Sequence, residues 1–433
     1  MKNPTSETCT QLFAGLAVCA ILVTAAPAAL AQTYRQVWTT TADFDTGGYV
    51  NTNSADVADQ LQLDLSQIET PYLWVSNSGS DTVARIDTSN GRVLSVTQLP
   101  GGRNPSRTAV DIDFNCWVAV RHDNGRLHKL SAHDGTEIFQ TARVGKWARG
   151  VAINSAGHVW VSTSVDDDGR GYGWMKVDSD TGQPITTFHS PIGSYGLAID
   201  PFGKVFSTTS WIDARADVQR ADGTDGRIEQ RWTLRPEIPE AIYGITVDIE
   251  GDVWGAVRYH PLVAWIDGDY SCPDDATNCA ITEGAGLHRV IDVNDVLVAA
   301  GSRTGLRSGR GIAVDANGFV WAVFNDRTTN VQQSYAVKID GTTGEPILAV
   351  PTGINSVGIT PDADGFIWVV NQRGGGPGFE DLPCPDGFSG NGTVTRLRSS
   401  DGSVVGTYPT CGSAPYTYSD KAGYTLRSVT LRS

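Results

Sequence analysis

Methionine, basic residues and long apolar runs are scarce in this chain of 433 residues. There are 2 Met, and 33 Lys and Arg stand against 48 Asp and Glu, which gives a formal net charge of −15. A chain this acidic is repelled by phosphate backbones and anionic lipid, so nucleic-acid partners are not expected. Beyond residue 31, apolar residues occur in runs of four to seven, which favours strands over buried helices.

The sequence also lacks the motifs of common catalytic sites. It contains no glycine-rich nucleotide loop, no Ser-His-Asp order and no Cys-x-x-Cys pair, so no cofactor is expected. A divalent cation, Ca²⁺ or Mg²⁺, is the alternative, and Asp166 and Asp168 in the Asp-Asp-Asp-Gly run are the candidate ligands. This run has neither the alternating spacing nor the closing Glu of a calcium loop, which favours a solvated loop.

Residues 1–31 have the features of a secretory signal peptide. Lys2 precedes an apolar stretch from Leu12 to Val23, and Ala29-Leu30-Ala31 has the small-x-small form of a cleavage site. The stretch is shorter than a membrane span, which needs at least roughly 17 residues. We therefore expect a secreted or periplasmic protein without membrane insertion, and we expect it to be a monomer.

Five cysteines remain after the predicted cleavage, and export allows them to form disulfides. Cys272 and Cys279 enclose a six-residue polar loop, and Cys384 and Cys411 flank the outer hairpin of the last repeat described below. We predict that these are two disulfide pairs. Cys116 lies within an apolar strand, and we interpret it as a buried free thiol.

An internal repeat determines the predicted fold. Its unit is an apolar strand, an Asp-x-x-Gly turn and a second strand with an aromatic residue, as in residues 150–161, 196–207 and 244–255. The aromatic residue recurs at Trp74, Trp117, Trp160, Phe206, Trp254, Trp321 and Trp368. Successive gaps are 43, 43, 46, 48, 67 and 47 residues, which is the period of a four-stranded propeller blade. An insertion around residues 272–279 and 287–306 explains the long gap.

We therefore predict an all-β fold, a seven-bladed β-propeller with four-stranded antiparallel blades, over residues 60–410. The large aromatic side chains would fill the spaces between neighbouring blades. Residues 32–59 are predicted to form an N-terminal extension or closing strand. Residues 411–433 are predicted to form a closing strand or to begin a further domain, because residues 424–431 have the pattern of a strand.

Two segments resemble known propeller repeats. Residues 73–94, LWVSNSGSDTVARIDTSNGRVL, resemble a YVTN-type repeat. Residues 242–254, IYGITVDIEGDVW, resemble the repeat of virginiamycin B (streptogramin) lyases and of NHL propellers. The resemblance covers nearly all of residues 60–410, but its motifs belong to the scaffold and imply the fold more than a function.

The resemblance to streptogramin lyases also implies catalytic positions. In those enzymes a His before the repeat Gly and a Glu after the Trp of the last blade support a magnesium-assisted ring opening. This sequence has Arg310 and Val357 at the His positions and Gln372 at the Glu position. None of these side chains can act as the general base or the hard-metal ligand, so that activity is not expected here.

The residues that open the innermost strands and those that follow the second strands converge on one mouth of a propeller channel. At this mouth we predict a ligand site made of Arg121, Arg149, Tyr195, Tyr243, Arg258, Arg310, Asn325 and Asn371. Arginines on an acidic protein attract anionic or carbonyl groups, and tyrosines stack on sugars. The alternative is that the arginines pair with neighbouring Asp and Glu and close the channel.

These observations favour a secreted recognition propeller that binds a small anionic or glycan-like ligand, or a protein partner, at the arginine-bearing mouth. A second hypothesis is a lyase or lactonase-type enzyme with a different set of residues, such as His260 with Asp326 or an acidic metal site. A third hypothesis is a structural module at the cell surface whose loops hold no small molecule.

Overall fold

The computed structural model describes residues 39–44, 52–53, 57–60, 62–63, 69–101, 104–165, 173–209, 216–303, 307–326, 333–385 and 387–426. The predicted signal peptide and the candidate metal ligands Asp166 and Asp168 lie outside these residues. The chain divides into a small unit, Met1–Gly48 with Ser54–Gln62, and a large unit, Tyr49–Asn53 with Leu63–Ser433.

The small unit contains helix α1 (Thr41–Phe44). Thr41 and Asp59 hold each other by two hydrogen bonds, from the Thr41 N–H to Asp59 Oδ1 and from the Asp59 N–H to Thr41 Oγ1, both 3.0 Å long. Two short strands, β1 (Thr52–Asn53) and β2 (Gln62–Leu63), precede the first blade in the chain.

The large unit contains seven antiparallel blades, numbered here in chain order, and the first three blades use strands β3 to β13. Blade 1 has β3 (Tyr72–Asn77), β4 (Thr82–Asp87) and β5 (Val93–Gln98). Blade 2 has β6 (Pro105–Val110), β7 (Cys116–Val120), β8 (Leu127–Leu130) and β9 (Glu137–Gln140). Blade 3 has β10 (Lys146–Ile153), β11 (Val159–Val165), β12 (Gly173–Val177) and β13 (Pro184–His189).

The remaining four blades use strands β14 to β31. Blade 4 has β14 (Leu197–Ile199), β15 (Lys204–Thr208), β16 (Asp217–Asp222) and β17 (Ile228–Thr233). Blade 5 has β18 (Ile242–Val247), β19 (Val253–Val257), β20 (Leu262–Ile266), the short insertion strand β22 (Thr282–Glu283) and β23 (Gly286–Asp292). The other insertion strand, β21 (Asn278–Ala280), pairs in parallel with β17 at the outer edge of blade 4. Blade 6, after helix α2 (Asn294–Ala299), has β24 (Arg307–Val314), β25 (Phe319–Asp326), β26 (Gln333–Asp340) and β27 (Pro346–Ile354). Blade 7 has β28 (Ser356–Pro361), β29 (Phe366–Asn371), β30 (Thr393–Arg398) and β31 (Val404–Pro409).

The recurring aromatic residue of each second strand is completely buried, at 0% exposure in all seven blades. Each ring packs against the next blade, as Trp117 of blade 2 does with Val159 and Val161 of blade 3. Trp368 of blade 7 packs with Leu73 of blade 1, which closes the ring. The predicted seven-bladed propeller is therefore confirmed, and its core consists of the apolar layers between adjacent blades.

The Asp-x-x-Gly turns tie each first hairpin to its aromatic residue. In blade 6, Asp315 Oδ1 accepts the backbone N–H groups of Asn317 and Phe319, and Asp315 Oδ2 accepts the Trp321 indole N–H at 2.9 Å. Blades 5 and 7 repeat the indole contact at 2.8 Å in each case. Each of these carboxylates therefore stabilises its own hairpin, and Asp315 Oδ2 also accepts the hydroxyl of Ser399 in blade 7.

A C-terminal segment lies along the inner edge of blade 1, which has only three strands of its own. The Tyr416 N–H donates to the Ser76 carbonyl at 2.8 Å, and the Trp74 N–H donates to the Lys421 carbonyl at 2.9 Å. The predicted strand at 424–431 differs from the structure, since residues 424–426 are helical and the rest lie outside the described part. Residues from Pro415 onward occupy the place of the missing inner strand.

Both predicted disulfides are confirmed. Cys272 is bonded to Cys279 and Cys384 to Cys411, with Cα–Cα distances of 5.7 and 5.5 Å. Cys116 is a buried free thiol, as predicted. The insertion is shorter than predicted, because part of the 287–306 segment is β23, which pairs with β20 as the fourth strand of blade 5. Among the described residues, no helix has the length and apolar character to cross a membrane.

Candidate anion-binding site

Four tyrosine side chains contact one another, and we call them the tyrosine cluster: Tyr195, Tyr243, Tyr416 and Tyr418. The Tyr195 hydroxyl donates to the Tyr243 hydroxyl at 2.7 Å. The Tyr416 hydroxyl lies 3.0 Å from that of Tyr195 and 2.5 Å from that of Tyr243. The Tyr418 ring packs edge-on against Tyr243, with 5.2 Å between centroids. Two of the four come from the sequence prediction, and two come from the C-terminal segment.

Four arginines surround these rings, and we call them the arginine cluster: Arg107, Arg121, Arg149 and Arg310. The Arg149 guanidinium lies 5.5 Å from the centre of the Tyr195 ring, and Arg310 lies 5.0 Å from that of Tyr243. Arg121 lies 4.3 Å from the Tyr416 ring. Arg107 lies between the rings of Tyr195 and Tyr418, at 4.7 and 4.6 Å. These are cation–π distances, which stabilise a desolvated cation.

β-Bulges in the innermost strands position these side chains. A bulge places an extra residue in one strand and redirects its side chain out of the regular alternation. The register of blade 3 shifts between Ala148 and Val151, around Arg149, and that of blade 6 shifts between Gly309 and Ile312, around Arg310. Equivalent shifts surround Arg107 in β6 and Tyr243 in β18.

The arginine cluster has no carboxylate partner among the described residues, since none of its guanidinium groups takes part in an ion pair there. The Nε–H groups of all four arginines, and Nη2 of Arg107, are buried without a hydrogen-bond acceptor. Arg107 and Arg149 are only 3% and 7% exposed. The described contacts of these four arginines therefore include no pairing with Asp or Glu. Buried cationic donors without acceptors are costly and favour an anion beside them.

The four tyrosines of the cluster differ in the direction in which the pKa of the phenol is shifted. Burial raises the pKa of Tyr195, Tyr243 and Tyr418. For Tyr416, burial alone would also raise the pKa, but the charge of Arg107, hydrogen bonds with two tyrosines of the cluster, and the charge of Arg121 together lower it to about 7. At slightly alkaline pH one phenolate therefore faces four guanidinium groups, which leaves the site with a net positive charge.

The strand that carries Arg149 also carries an exposed tryptophan. Trp147 precedes Arg149 by two residues on β10 and is 42% exposed. Its φ of 52° is unusual for a bulky residue, and its backbone N–H donates to the His122 carbonyl at 2.8 Å. Strained backbone and exposed aromatic surface often occur together at binding sites.

The contacts described for the other predicted site residues are with groups outside the two clusters. Arg258 packs on the neighbouring Tyr259 ring at 4.0 Å. Asn325 is buried and donates to Asn355 Oδ1 at 3.0 Å. Asn371 is buried as well, and its amide group donates to Thr393 and Thr395 while its oxygen accepts the Gly353 N–H. The two asparagines therefore connect strands and loops of blades 6 and 7.

The candidate catalytic pair of His260 and Asp326 is not joined by a hydrogen bond or an ion pair within the described part of the chain. Asp326 instead accepts a hydrogen bond from the Ser302 hydroxyl at 2.5 Å, and its Oδ1 lies 3.9 Å from Arg307 Nε. Both partners of Asp326 are buried. This arrangement fits a structural ion pair between the two strands of the first hairpin in blade 6.

Sequence reasoning did not find Arg107, Tyr416, Tyr418 or the three-residue group that, among the described residues, has the geometry for a metal. Arg107 lies in the bulge of β6, which adds a residue to that strand. The two tyrosines lie after the last repeat, where no repeat pattern assigns positions. The possible metal group is Asp252, Asp267 and His288, with ligand atoms within 4.8 Å of one another.

The fold is similar to those of solved structures. A chain described as Kuenenia stuttgartiensis hydrazine synthase has a TM-score of 0.52 at 14% identity, with 70% of this chain and 91% of that chain covered. A protein of unknown function from Bacteroides caccae has a TM-score of 0.45 at 14% identity, covering 65% of this chain and 93% of that chain. No family model matches the sequence, and no curated protein matches it. The first similarity shows the fold alone.

Proposed function

We propose that this protein is a secreted recognition propeller whose arginine cluster binds a small anionic ligand in the channel mouth. The observation that carries the proposal is the set of buried guanidinium N–H groups without an acceptor. Guanidinium groups bind carboxylate, sulfate and phosphate groups through charge-assisted, often bidentate, hydrogen bonds. Low local polarity strengthens such bonds, so a ligand anion would stabilise the site most where the four arginines converge.

We also propose that the ligand is an acidic sugar or a glycan that carries such an anion. The exposed face of Trp147 is two residues from Arg149 in the same strand. A pyranose ring stacked on this indole would place a ring substituent toward the arginine cluster. Aromatic faces are common platforms for sugars because both surfaces are flat and apolar.

The proposal also includes the location of the protein and the type of its propeller scaffold. Two disulfides support an oxidising compartment, outside the cytosol. The leader-like residues 1–31 support secretion or a periplasmic location. We infer that the scaffold is of the YVTN and NHL type, as the repeat sequences suggest, and that it has lost or never had the streptogramin lyase residues.

The test is a binding measurement on the mature protein, residues 32–433, with three probes: sodium sulfate, sodium glucuronate and trigalacturonate. Calorimetry should detect binding of at least one anion to the wild type, and Arg149→Gln should weaken it about ten- to a hundredfold, since a hydrogen bond to a charged group contributes about 1.5–3 kcal/mol. Arg92→Gln is the matched control, because Arg92 is exposed in an outer turn of blade 1.

Absence of binding for all three probes in the wild type contradicts the proposal and supports a structural module. Equal losses in Arg149→Gln and Arg92→Gln would mean that the anions bind to the surface in general. Trp147→Ala separates the two ligand classes, because it should weaken trigalacturonate binding and leave sulfate binding unchanged.

A second candidate function is a lyase, and the pKa of about 7 for Tyr416 favours it. A phenolate near neutral pH can act as a general base, and the arginines would stabilise the negative charge that develops when a proton next to a carboxylate is removed. The expected reaction on a uronate polymer is a β-elimination: the phenolate takes the proton on C5, the C4–O glycosidic bond breaks, and the leaving oxygen takes a proton from solvent. The product carries a C4–C5 double bond, which ultraviolet absorbance detects. Tyr416→Phe should abolish the product while sulfate still binds. A wild type without product leaves the protein as a binder.

A further inference from the structure

Six of the seven blades share a cationic side chain at one position of the third strand. In each case this Lys or Arg lies directly opposite the buried aromatic residue of the second strand. The six pairs are Trp74 with Arg85, Trp117 with Lys129, Trp160 with Lys176, Phe206 with Arg220, Trp321 with Lys338, and Trp368 with Arg396. We call these six side chains the inter-blade cations.

Each inter-blade cation reaches the next blade and donates to a backbone carbonyl there. The carbonyl belongs to the turn between the third and fourth strands of that next blade. Lys129 of blade 2 reaches the Ser179 carbonyl of blade 3 at 3.0 Å. Lys338 of blade 6 reaches the Ser399 carbonyl of blade 7 at 2.7 Å. The remaining four contacts join Arg85 to Ala132, Lys176 to Gly223, Arg220 to Gly268, and Arg396 to Ser89.

Aromatic faces and carboxylates complete the surroundings of these cations. The Lys129 ammonium lies 5.2 Å from the centre of the Trp117 ring and 3.3 Å from Asp111 Oδ2. The Lys338 ammonium lies 5.7 Å from the centre of the Trp321 ring. An alkylammonium ion between adjacent blades is therefore held by an indole face, a turn carbonyl and, in blade 2, a carboxylate.

Blade 5 is the exception. Trp265 occupies the position of the cation and stacks on Trp254, with 4.9 Å between ring centroids and 11° between the planes. Its indole N–H donates to Asp252 Oδ2 at 3.0 Å. Trp265 has no charged end, so the third strand of blade 5 sends no cation to the corresponding turn of blade 6, which contains Gly341. Arg289, opposite Trp265 on the fourth strand, donates instead to another carbonyl of that turn, that of Thr343.

A cavity of about 570 Å³ lies at this place, between blades 5 and 6. Trp265 and Gly341 line it together with four carboxylate residues, Asp248, Glu250, Asp252 and Asp315. No Lys, Arg or His is among the described residues that line the cavity. The interface between blades 5 and 6 therefore has aromatic, carbonyl and carboxylate groups like those of the other interfaces. Where the other interfaces hold a cationic side chain, this one has a cavity.

We propose that this cavity binds the alkylammonium group of a small amine, in the place that a lysine side chain takes in the other blades. The Trp265 indole in the cavity wall favours an organic cation over an inorganic one, because an aromatic ring attracts an alkylammonium group and is not a ligand for a metal. The site is separate from the arginine cluster and does not depend on the function proposed for it. Binding in the cavity would join blades 5 and 6 as the lysines join their neighbours.

The test uses the mature protein at low ionic strength, with 1,5-diaminopentane as the probe and 1,5-pentanediol as its uncharged counterpart. Calorimetry should show binding of the diamine and none of the diol. Glu250→Gln should weaken the binding about tenfold or more, because it removes a carboxylate from the cavity wall. Asp275→Asn, in the exposed insertion, is the matched control and should leave the affinity unchanged.

Trp265→Lys restores the cation of the repeat and should abolish diamine binding. If that variant does not fold, the comparison of Glu250→Gln with its control still tests the proposal.

The proposal is overturned if the wild type does not bind the diamine, if Ca²⁺ or Mg²⁺ binds and displaces it, or if Asp275→Asn has the same effect as Glu250→Gln. Binding only by a chain that ends at Leu426 would also overturn it, since the arginines at 427 and 432 would then be the occupants. Arg149→Gln should bind the diamine normally, which separates this test from that of the arginine cluster.

Discussion

The Tyr416 hydroxyl lies 2.5 Å from one phenol of the cluster and 3.0 Å from another, under the charge of two arginines. These surroundings are specific to this residue, because Tyr195, Tyr243 and Tyr418 share the burial but have a raised pKa. A tyrosine whose pKa is lowered on folding contributes stability above its unfolded pKa near 10, and that contribution is lost as the pH falls through the folded value.

A pH titration tests this directly. With a folded pKa of about 7 for Tyr416, the ultraviolet absorbance of tyrosinate should rise by one residue near neutral pH, and the free energy of unfolding should increase between pH 7 and pH 10 relative to a variant without the phenol. Tyr416→Phe should remove both effects. Tyr408→Phe is the control, because burial raises the pKa of Tyr408 and its loss should leave the neutral step in place.

At the scale of single residues, there is a physical reason why the sequence predicted some site residues and missed others. Arg149 and Arg310 were found because each directly precedes the Gly of a clear repeat. Arg107 was missed because a bulge in β6 changes which residue points inward, and a bulge leaves no mark in the spacing of apolar residues. The absence of carboxylate partners for the arginines could not be predicted, since pairing depends on distances across blades.

At the scale of strands, the third strand of each blade contributes both to the blade and to its attachment to the next one. Lys338 is 3% exposed, and its ammonium donates to the carbonyls of Ser399 and Ser400 at 2.7 and 3.0 Å. The pKa of Lys338 is lowered, first by burial. The contact replaces water around the ammonium group with two backbone acceptors and an aromatic face.

Lys338→Met should therefore destabilise the propeller, because two buried carbonyls lose their donor while the side-chain volume stays similar. We expect a loss of about 1–3 kcal/mol in the free energy of unfolding, measured by chemical denaturation. Lys146→Met, an exposed lysine at the start of β10, should change it by less than about 0.5 kcal/mol. Equal losses in the two variants would show that the inter-blade contact contributes nothing.

The strands themselves were predictable where a hydrophobic alternation and a turn signal coincide. Residues 150–161 and 244–255 form hairpins as the sequence indicates. Residues 287–292 were predicted to be part of an insertion, but they form most of β23, which pairs with β20. The prediction was wrong because the loop that carries the first disulfide separates the two strands in sequence. Pairing over such a distance in sequence is decided by the sheet edge that is available.

At the scale of the whole molecule, closure of the ring depends on contacts between residues far apart in the chain. The C-terminal segment pairs with β3 of blade 1, and the bond between Cys384 and Cys411 fixes the chain just before this segment to the loop between β29 and β30 of blade 7. The other bond, between Cys272 and Cys279, closes a local loop in blade 5. The two disulfides therefore differ in what they hold together.

We expect removal of the two disulfides to have unequal effects. Loop entropy predicts a loss of about 3.5 kcal/mol for the 27-residue separation of Cys384 and Cys411, against about 2.4 kcal/mol for the 7-residue separation of Cys272 and Cys279. Thermal unfolding of the double Cys→Ser variants measures the difference. A larger loss from the Cys272 and Cys279 pair would contradict the role of the other bond in closure.

The position of Tyr416 and Tyr418 in the closing segment has a consequence for biosynthesis. A ribosome that has made blades 1 to 7 has not yet made half of the tyrosine cluster, so a nascent or prematurely terminated chain has four arginines in an unfinished channel and no phenolate among them. Ligand recognition would begin only when the last part of the chain docks on the first blade. In this protein, a competent binding site would therefore report that synthesis and folding have both been completed.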